Sequence, residues 1–272
     1  MKILTFHGGL GNQLFEYTYY KWLCKQHPDH KIYGFYPKRG FKAHNGLEIE
    51  KWFDVELPKS TWWSNAISVF FFWFNKIFVK LGKPRPFTNN DWFRKENAMI
   101  HHGYWQDKKY LLEVGVPKFK PNIELNRENE EMLARIDSCN SVAVHIRRGD
   151  YLIERFRKMY GDICTTEYYR KAMNIIEEQD KNVTYFFFSD DIDYVKNNFN
   201  IPNKVIVDIN RGGNSFFDVF LMSKCKHLII ANSSFSCWAA YENTNNGLVI
   251  APDKWRNDKP SPDILLDNWI KI

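Results

Sequence analysis

The chain has 272 residues, long for one average domain and enough for two, since domains commonly run to about 100–200 residues. Hydrophobic residues make up 44% and charged residues 26%, which excludes a disordered chain. A net charge of +6, with no block of five consecutive Lys or Arg, excludes nucleic acid as the expected partner but suits phosphate-bearing small molecules or anionic lipid. The stretch MKILTFHGGL reads as a strand at Lys2–Phe6, because its apolar run is too short for a secretory leader. A glycine-rich turn follows, then a helix from about Asn12 to Lys25. Residues 33–120 are less regular and rich in Pro, Gly and aromatic side chains.

Within that stretch, 14 of the 20 residues 62–81 are apolar. The polar ones, Ser64, Asn65, Ser68, Asn75, Lys76 and Lys80, fall within an arc of about 160° on a helix of period 3.6. The simpler expectation sets the wide apolar face on the domain core. The alternative is a helix lying on a membrane, lysines toward the head groups, which gives peripheral contact through 62–81. The six interruptions argue against a transmembrane span.

Pro117 and Pro121 mark the approach to a boundary, and a helix at Arg127–Asp137 leads into the second half, so the expected domains are 1–137 and 138–272. Apolar, β-branched runs recur at Ser141–Ile146, Thr184–Phe188, Lys204–Val207, His227–Ala231 and Leu248–Ala251. Helical patterns alternate with them at Thr166–Gln179, after Asp191, at Ser215–Lys224 and at Ser234–Tyr241. That alternation predicts a Rossmann-like parallel sheet, and the N-terminal half opens the same way. The fold class is therefore α/β, with two Rossmann-like domains facing across a cleft. Five scattered cysteines without a CxxC pair read as reduced thiols of a cytoplasmic protein.

The residues that carry chemistry cluster where strands end. His145, Arg147 and Arg148 follow one strand, Asp190 and Asp191 follow the next, and Asn232-Ser233-Ser234-Phe235-Ser236 opens a helix after a third. Guanidinium groups present forked donors matched to phosphate oxygens, and a serine-lined helix start offers free N–H groups to an anion. Together they predict a nucleotide-diphosphate pocket. Near the N-terminus, His7-Gly8-Gly9-Leu10-Gly11-Asn12-Gln13 misses a dinucleotide fingerprint, because Leu14 stands at its third glycine. A tight turn with Gly9 and Gly11, bringing backbone and Asn12 to the cleft, is the better reading. Asp191 and Asp193 match a D-x-D metal motif, but Asp193 falls on the following helix and the arginines already supply positive charge, so no metal is expected. His101-His102 lacks a third ligand and reads as loop or cleft lining.

The stretches GGLGNQLFEY (8–17), GYWQDKKY (103–110), HIRRGDY (145–151), FSDD (188–191) and LMSKCKHLIIANSSFS (221–236) resemble the α-1,2-fucosyltransferase family, glycosyltransferase family 11. The resemblance covers nearly the whole chain, with residues 25–100 least matched. It implies a GT-B fold, with GDP-fucose on the C-terminal domain and the acceptor on the other. It implies an inverting reaction without metal or other cofactor, onto the 2-hydroxyl of a galactose-terminated oligosaccharide; a lipid-linked acceptor would give the amphipathic stretch 62–81 a use at the inner membrane face. Carried over residue by residue, it puts Arg147 and Arg148 on the diphosphate with Ser233, Ser234 and Ser236 near it. It puts His145, Asp190 and Asp191 at the guanine or ribose. Two positions depart from the pattern: Cys237 precedes Trp238 where a tryptophan pair is usual, and Tyr194 replaces a common tryptophan. Both are expected in pocket walls.

In such a reaction Arg147 stabilises charge growing on the β-phosphate. Asp150 is the first candidate base and Glu154 the second, with Asn12 positioning the hydroxyl; Asp150 suits equally well a role holding the arginines. The alternatives are a GDP-sugar transferase of other linkage or donor, and a carbohydrate-binding protein without catalysis, which would have no need of a diphosphate site.

Overall fold

A computed structural model describes every residue except Ala43, Pro84, Pro86, Phe87, residues 91–94 and Glu96. The chain divides into two compact units, Met1–Pro121 and Asn122–Ile272. The division falls at Pro121, not at residue 137 as expected. The reason is local: in the helix Arg127–Asp137, Asn129 is buried and exchanges hydrogen bonds of 3.0 and 2.9 Å with Asn210, while Ile136 is buried beside it. That helix is part of the second unit's core.

The first unit comprises β1 (Lys2–Thr5), α1 (Leu10–Gln26), β2 (Ile32–Phe35), α2 (Ile49–Trp52), α3 (Trp62–Lys80), β3 (Thr88–Asn89), β4 (Ile100–His101) and α4 (Lys108–Val114). Its strands form a parallel sheet in the order β2-β1-β4-β3. Much of the aromatic content packs this unit's core. Tyr19 stacks on Trp105 with ring centroids 3.8 Å apart, and Tyr110 meets Tyr19 edge-on at 4.9 Å. His101 belongs to this core and not to a loop or cleft lining. It is fully buried, its Nδ1 lies 2.9 Å from the Tyr19 hydroxyl, and burial pushes it down to about 3.

Helix α3 forms over the range its periodicity marks, with Thr61 and Ser64 closing a capping box. Its orientation meets the simpler expectation only in part: Trp63, Ile67, Phe71, Phe74 and Phe78 are half-buried, but the rest of the apolar face is not covered. Ser64, Ser68 and Asn75 are buried, whereas Trp62, Val69, Phe70, Phe72, Trp73, Ile77 and Val79 are exposed. On the inward side the Asn75 amide donates to the Thr88 hydroxyl of β3 at 2.6 Å, while Ser68 donates to the Ser64 carbonyl within the helix itself at 2.8 Å.

The second unit comprises α5 (Arg127–Asp137), β5 (Asn140–Ile146), α6 (Glu154–Tyr160), α7 (Thr166–Gln179), β6 (Val183–Ser189), α8 (Ile192–Asn198), β7 (Lys204–Val207), α9 (Phe216–Lys224), β8 (His227–Ile229), α10 (Ser234–Glu242), β9 (Val249–Ala251) and β10 (Ile270–Lys271). All six strands are parallel in the order β10-β9-β8-β5-β6-β7. Numbered within the unit this is 6-5-4-1-2-3, the nucleotide-binding Rossmann order read backwards. The near-continuous apolar runs of β5 and β6 are buried, as double-sided parallel strands must be. Strand β8 is shorter than its apolar run, although Ile230 and Ala231 stay buried beyond it. Because β5 and β8 are neighbours whose chains leave in opposite directions, the crevice at their carboxyl ends is the sheet's switch point.

Candidate functional site

The β5–β6 register pairs Ile146 with Ser189, so Arg147 and Asp190 leave the sheet side by side. Arg147 Nη1 lies 2.8 Å from Asp190 Oδ2, and its Nη2 lies 2.8 Å from Asp150 Oδ1. The Arg148 backbone N–H donates to Asp190 Oδ1 at 2.8 Å, and its side-chain Nε donates to Asp191 Oδ2 at 2.9 Å. The Arg148 guanidinium carbon stands 3.8 Å from the centre of the Tyr194 ring, a cation over an aromatic face. Among the described residues the Nη groups of Arg148 carry no hydrogen bond, which leaves that end of the fork for an anion.

These aspartates thus act first as arginine holders. Asp191 also caps α8, its Oδ1 accepting from the Tyr194 N–H at 3.0 Å. Partial burial raises its carboxyl, but the Tyr194 amide and Arg148 outweigh that and hold it below the ordinary carboxylate range. Asp193 stands exposed in the first turn of α8, as expected, so the D-x-D pair does not converge. Among the described residues no group of three or more His, Cys, Asp or Glu is arranged to hold a metal ion.

His145, the penultimate residue of β5, is 6% exposed, and its Nδ1 has no hydrogen-bond partner among the described residues. Its ring tilts against Phe235 at 5.7 Å. Burial is the main cause that pushes this imidazole down to about 4, so it is neutral at pH 7. A buried ring nitrogen without a partner is costly unless a ligand supplies one.

The start of α10 lies after β8, across the switch point. Ser233 is its cap, accepting from the Phe235 N–H at 3.4 Å. Ser234 and Phe235 are half-buried. Ser236 is fully buried and donates back to the Ala231 and Ser233 carbonyls at 3.5 and 3.4 Å, so its hydroxyl braces the turn. Tyr151 ties the two loops together by donating to the Asn232 carbonyl at 3.0 Å. Cys237 and Trp238 are fully buried and belong to the core, not to a pocket wall as expected. Glu154 is 85% exposed on α6 and paired with Lys158 at 2.8 Å, open to water rather than enclosed with the arginines.

In the first unit, Gly8 adopts φ +82°, where a Cβ would meet Asn12 Nδ2 at 3.0 Å and Tyr104 at 3.2 Å. Gly9 caps α1, which therefore starts at Leu10, and Gly11 is buried in its first turn. Asn12 Oδ1 accepts from Gln106 Nε2 at 3.0 Å, which joins the GGLGNQ and GYWQDK stretches. Gln13 is saturated: its amide donates to the Gly8 and Gly46 carbonyls and accepts from the Glu48 and Ile49 N–H groups. Beside this turn is a pair that the sequence reading missed. Glu16 is fully buried, with Oε1 2.6 Å from His7 Nδ1 and Oε2 accepting the His7 backbone N–H at 2.9 Å. The His7 ring, 18% exposed, stacks between His102 at 4.8 Å and Tyr104 at 4.6 Å. The available signal was an acid on the apolar helix stretch Leu14-Phe15-Glu16-Tyr17, since a buried carboxylate needs a partner.

The model of Glycosyl transferase family 11 matches residues 89–272. The chain is similar to an alpha-1,2-colitosyltransferase of Escherichia coli, 32% identical over 97% of this chain and 96% of that protein. It is 31% identical to an O-antigen biosynthesis glycosyltransferase of Escherichia coli, over 75% of this chain and 71% of the relative. A galactoside 2-alpha-L-fucosyltransferase of Bos taurus is 28% identical over 56% of this chain and 46% of its own length.

Proposed function

Since the chain belongs to glycosyl transferase family 11, we propose that it is an inverting, metal-independent α-1,2-fucosyltransferase, moving L-fucose from GDP-fucose to the 2-hydroxyl of a galactose-terminated oligosaccharide. The observation that carries this reading is the pair of guanidinium groups held on Asp150, Asp190 and Asp191 at the switch point of a Rossmann-ordered sheet. The α-1,2 linkage is supported by two relatives whose names carry it, one a colitosyl and the other a fucosyl enzyme. An O-antigen biosynthesis relative favours an O-antigen oligosaccharide as the acceptor. The two α/β units correspond in this reading to the acceptor and donor halves of a GT-B enzyme.

In the reaction the acceptor oxygen attacks fucose C1 from the face opposite GDP, the C1–O bond to the β-phosphate breaks, and negative charge grows on that phosphate. Arg147 and Arg148 are prepositioned to take up that charge, which removes the need for a divalent cation. His145 and Phe235 border the nucleoside, with the unpartnered Nδ1 accepting from it. Ser233 and Ser234 sit at the diphosphate, while Asp190 and Asp191 keep the arginines in place and reach guanine or ribose only through lone pairs the arginines leave free.

Asp150, engaged with Arg147, takes the holding role. We assign the acceptor proton instead to His7, whose Nδ1 lies 2.6 Å from Oε1 of the buried Glu16. Asn12 and Gln106 position the hydroxyl. The testing experiment is transfer from GDP-fucose to galactose-terminated acceptors, with the new linkage read by NMR. A product fucosylated at O2 of the terminal galactose is expected; another linkage or no fucose transfer overturns the reading. The colitosyl relative supports one second reading, a colitosyl donor, which the same assay with that donor distinguishes.

A further inference from the structure

Helix α3 is apolar on two sides: Trp63, Ile67, Phe71, Phe74 and Phe78 are half-buried beside the inward Ser64, Ser68 and Asn75, while Trp62, Phe70, Phe72 and Trp73 are left exposed. Of the fourteen exposed large apolar residues among those described, eight lie within residues 62–81. Trp62 is 83% exposed, Phe70 62% and Trp73 60%, and they follow one another with Val69 and Ile77 along a single stripe. A contiguous apolar stripe of this kind marks an interaction surface, because it costs free energy in water. No helix among the described residues is long and apolar enough to cross a membrane, so a surface contact is at issue.

Charge decides the occupant. Between Leu57 and Asn90 there are five cations, Lys59, Lys76, Lys80, Lys83 and Arg85, and no Asp or Glu. The Lys76 ammonium sits on the outward aromatics, 4.2 Å from the Trp73 ring centre and 4.8 Å from that of Phe72. A second copy of the chain meeting this stripe about a two-fold axis would set like charges against each other. An anionic bilayer satisfies both halves of the surface: acyl chains take Trp62, Phe70 and Trp73, and phosphates take the lysine heads that rise past them.

We infer that α3 is an interfacial helix that docks the protein, in plane, on an anionic phospholipid surface. The docking is independent of which sugar is transferred.

The test is co-sedimentation of the full chain with vesicles of phosphatidylglycerol and phosphatidylethanolamine, and with phosphatidylcholine vesicles, at low salt. Variants are Phe70→Ser/Trp73→Ser and Lys76→Glu/Lys80→Glu; all four side chains are exposed, and circular dichroism melts check that the fold is kept. Binding to the anionic vesicles is expected, weaker on phosphatidylcholine. The charge reversal should reduce it by about tenfold or more, the scale of two lysines at an anionic surface. The aromatic replacement should abolish it. No sedimentation above the vesicle-free control overturns the inference, as does binding that both variants retain. A concentration-dependent dimer, lost in Phe70→Ser/Trp73→Ser without any vesicle binding, would give the stripe to a second copy and equally overturn it. GDP binding by the same preparations is expected to be unchanged, since these residues belong to the other unit.

Discussion

The α-carbon of Gly149 stands so close to the carboxylate of Asp190 that a methyl group on it would come 2.7 Å from Oδ2. That oxygen is the one that holds Arg147, and the partner oxygen accepts the Arg148 N–H. The glycine between the arginines and Asp150 is therefore there for closeness, letting one carboxylate serve both arginines.

Gly149→Ala should displace Asp190 and loosen both arginines. GDP affinity is expected to fall by roughly tenfold to a hundredfold, the scale of a lost hydrogen bond to a charged group. Calorimetric titration with GDP checks this, and unchanged affinity would show that Asp190 yields without cost.

Tyr194 supplies the face on which Arg148 rests. Tyr194→Ala should weaken GDP binding several-fold, within the range of about 0.5–2 kcal/mol for such contacts. Tyr194→Trp should retain it, because the face is kept. Equal loss in both variants would point instead to the hydrogen bond of 2.6 Å between the Tyr194 and Thr166 hydroxyls.

Much of this site was legible in the chain. The apolar runs of β5 and β6 and the arginines and aspartates at their ends stand out because a doubly buried strand that breaks into charge is conspicuous. What joins them was not legible. Arg147 and Asp190 meet through the register of two strands, and no local pattern gives that register. For α3 the periodicity identified a helix, but which side faces the protein rests on tertiary contacts, such as the Asn75–Thr88 hydrogen bond and Trp63 against Tyr33. His7 and Glu16 are nine residues apart, on a strand end and a helix, and only the packing of α1 against β1 brings them together.

That pair makes a kinetic prediction. His7→Gln should lower kcat by about 10²–10⁴, the usual worth of a general base, while leaving the KM for GDP-fucose unchanged. Glu16→Gln should lower kcat less, since it removes only the group that orients the imidazole. A His7 variant with full kcat would remove it from the chemistry.

Burial pushes the Asp218 carboxyl from its ordinary 3.8 up to about 7, against the hydrogen bond from Asn210 and the charge of Arg211, with Asp208 adding to the rise. Between those values the folded chain holds a proton that the unfolded chain has lost, so this group's contribution to stability falls as pH rises from 3.8 to 7. Asp218→Asn should flatten that part of the profile. Melting temperatures of both proteins across the window check it, and identical slopes would contradict it.

In the proposed reaction the guanidinium groups of Arg147 and Arg148 do the work of a metal. The most direct measurement is fucose transfer from GDP-fucose to a galactose-terminated acceptor, with and without EDTA, for the wild type and Arg147→Ala. Transfer is expected to survive EDTA and to fall by about 10²–10³ in the variant, as when one transition-state donor is lost. Transfer abolished by EDTA and restored by a divalent cation, or undiminished in Arg147→Ala, would contradict it.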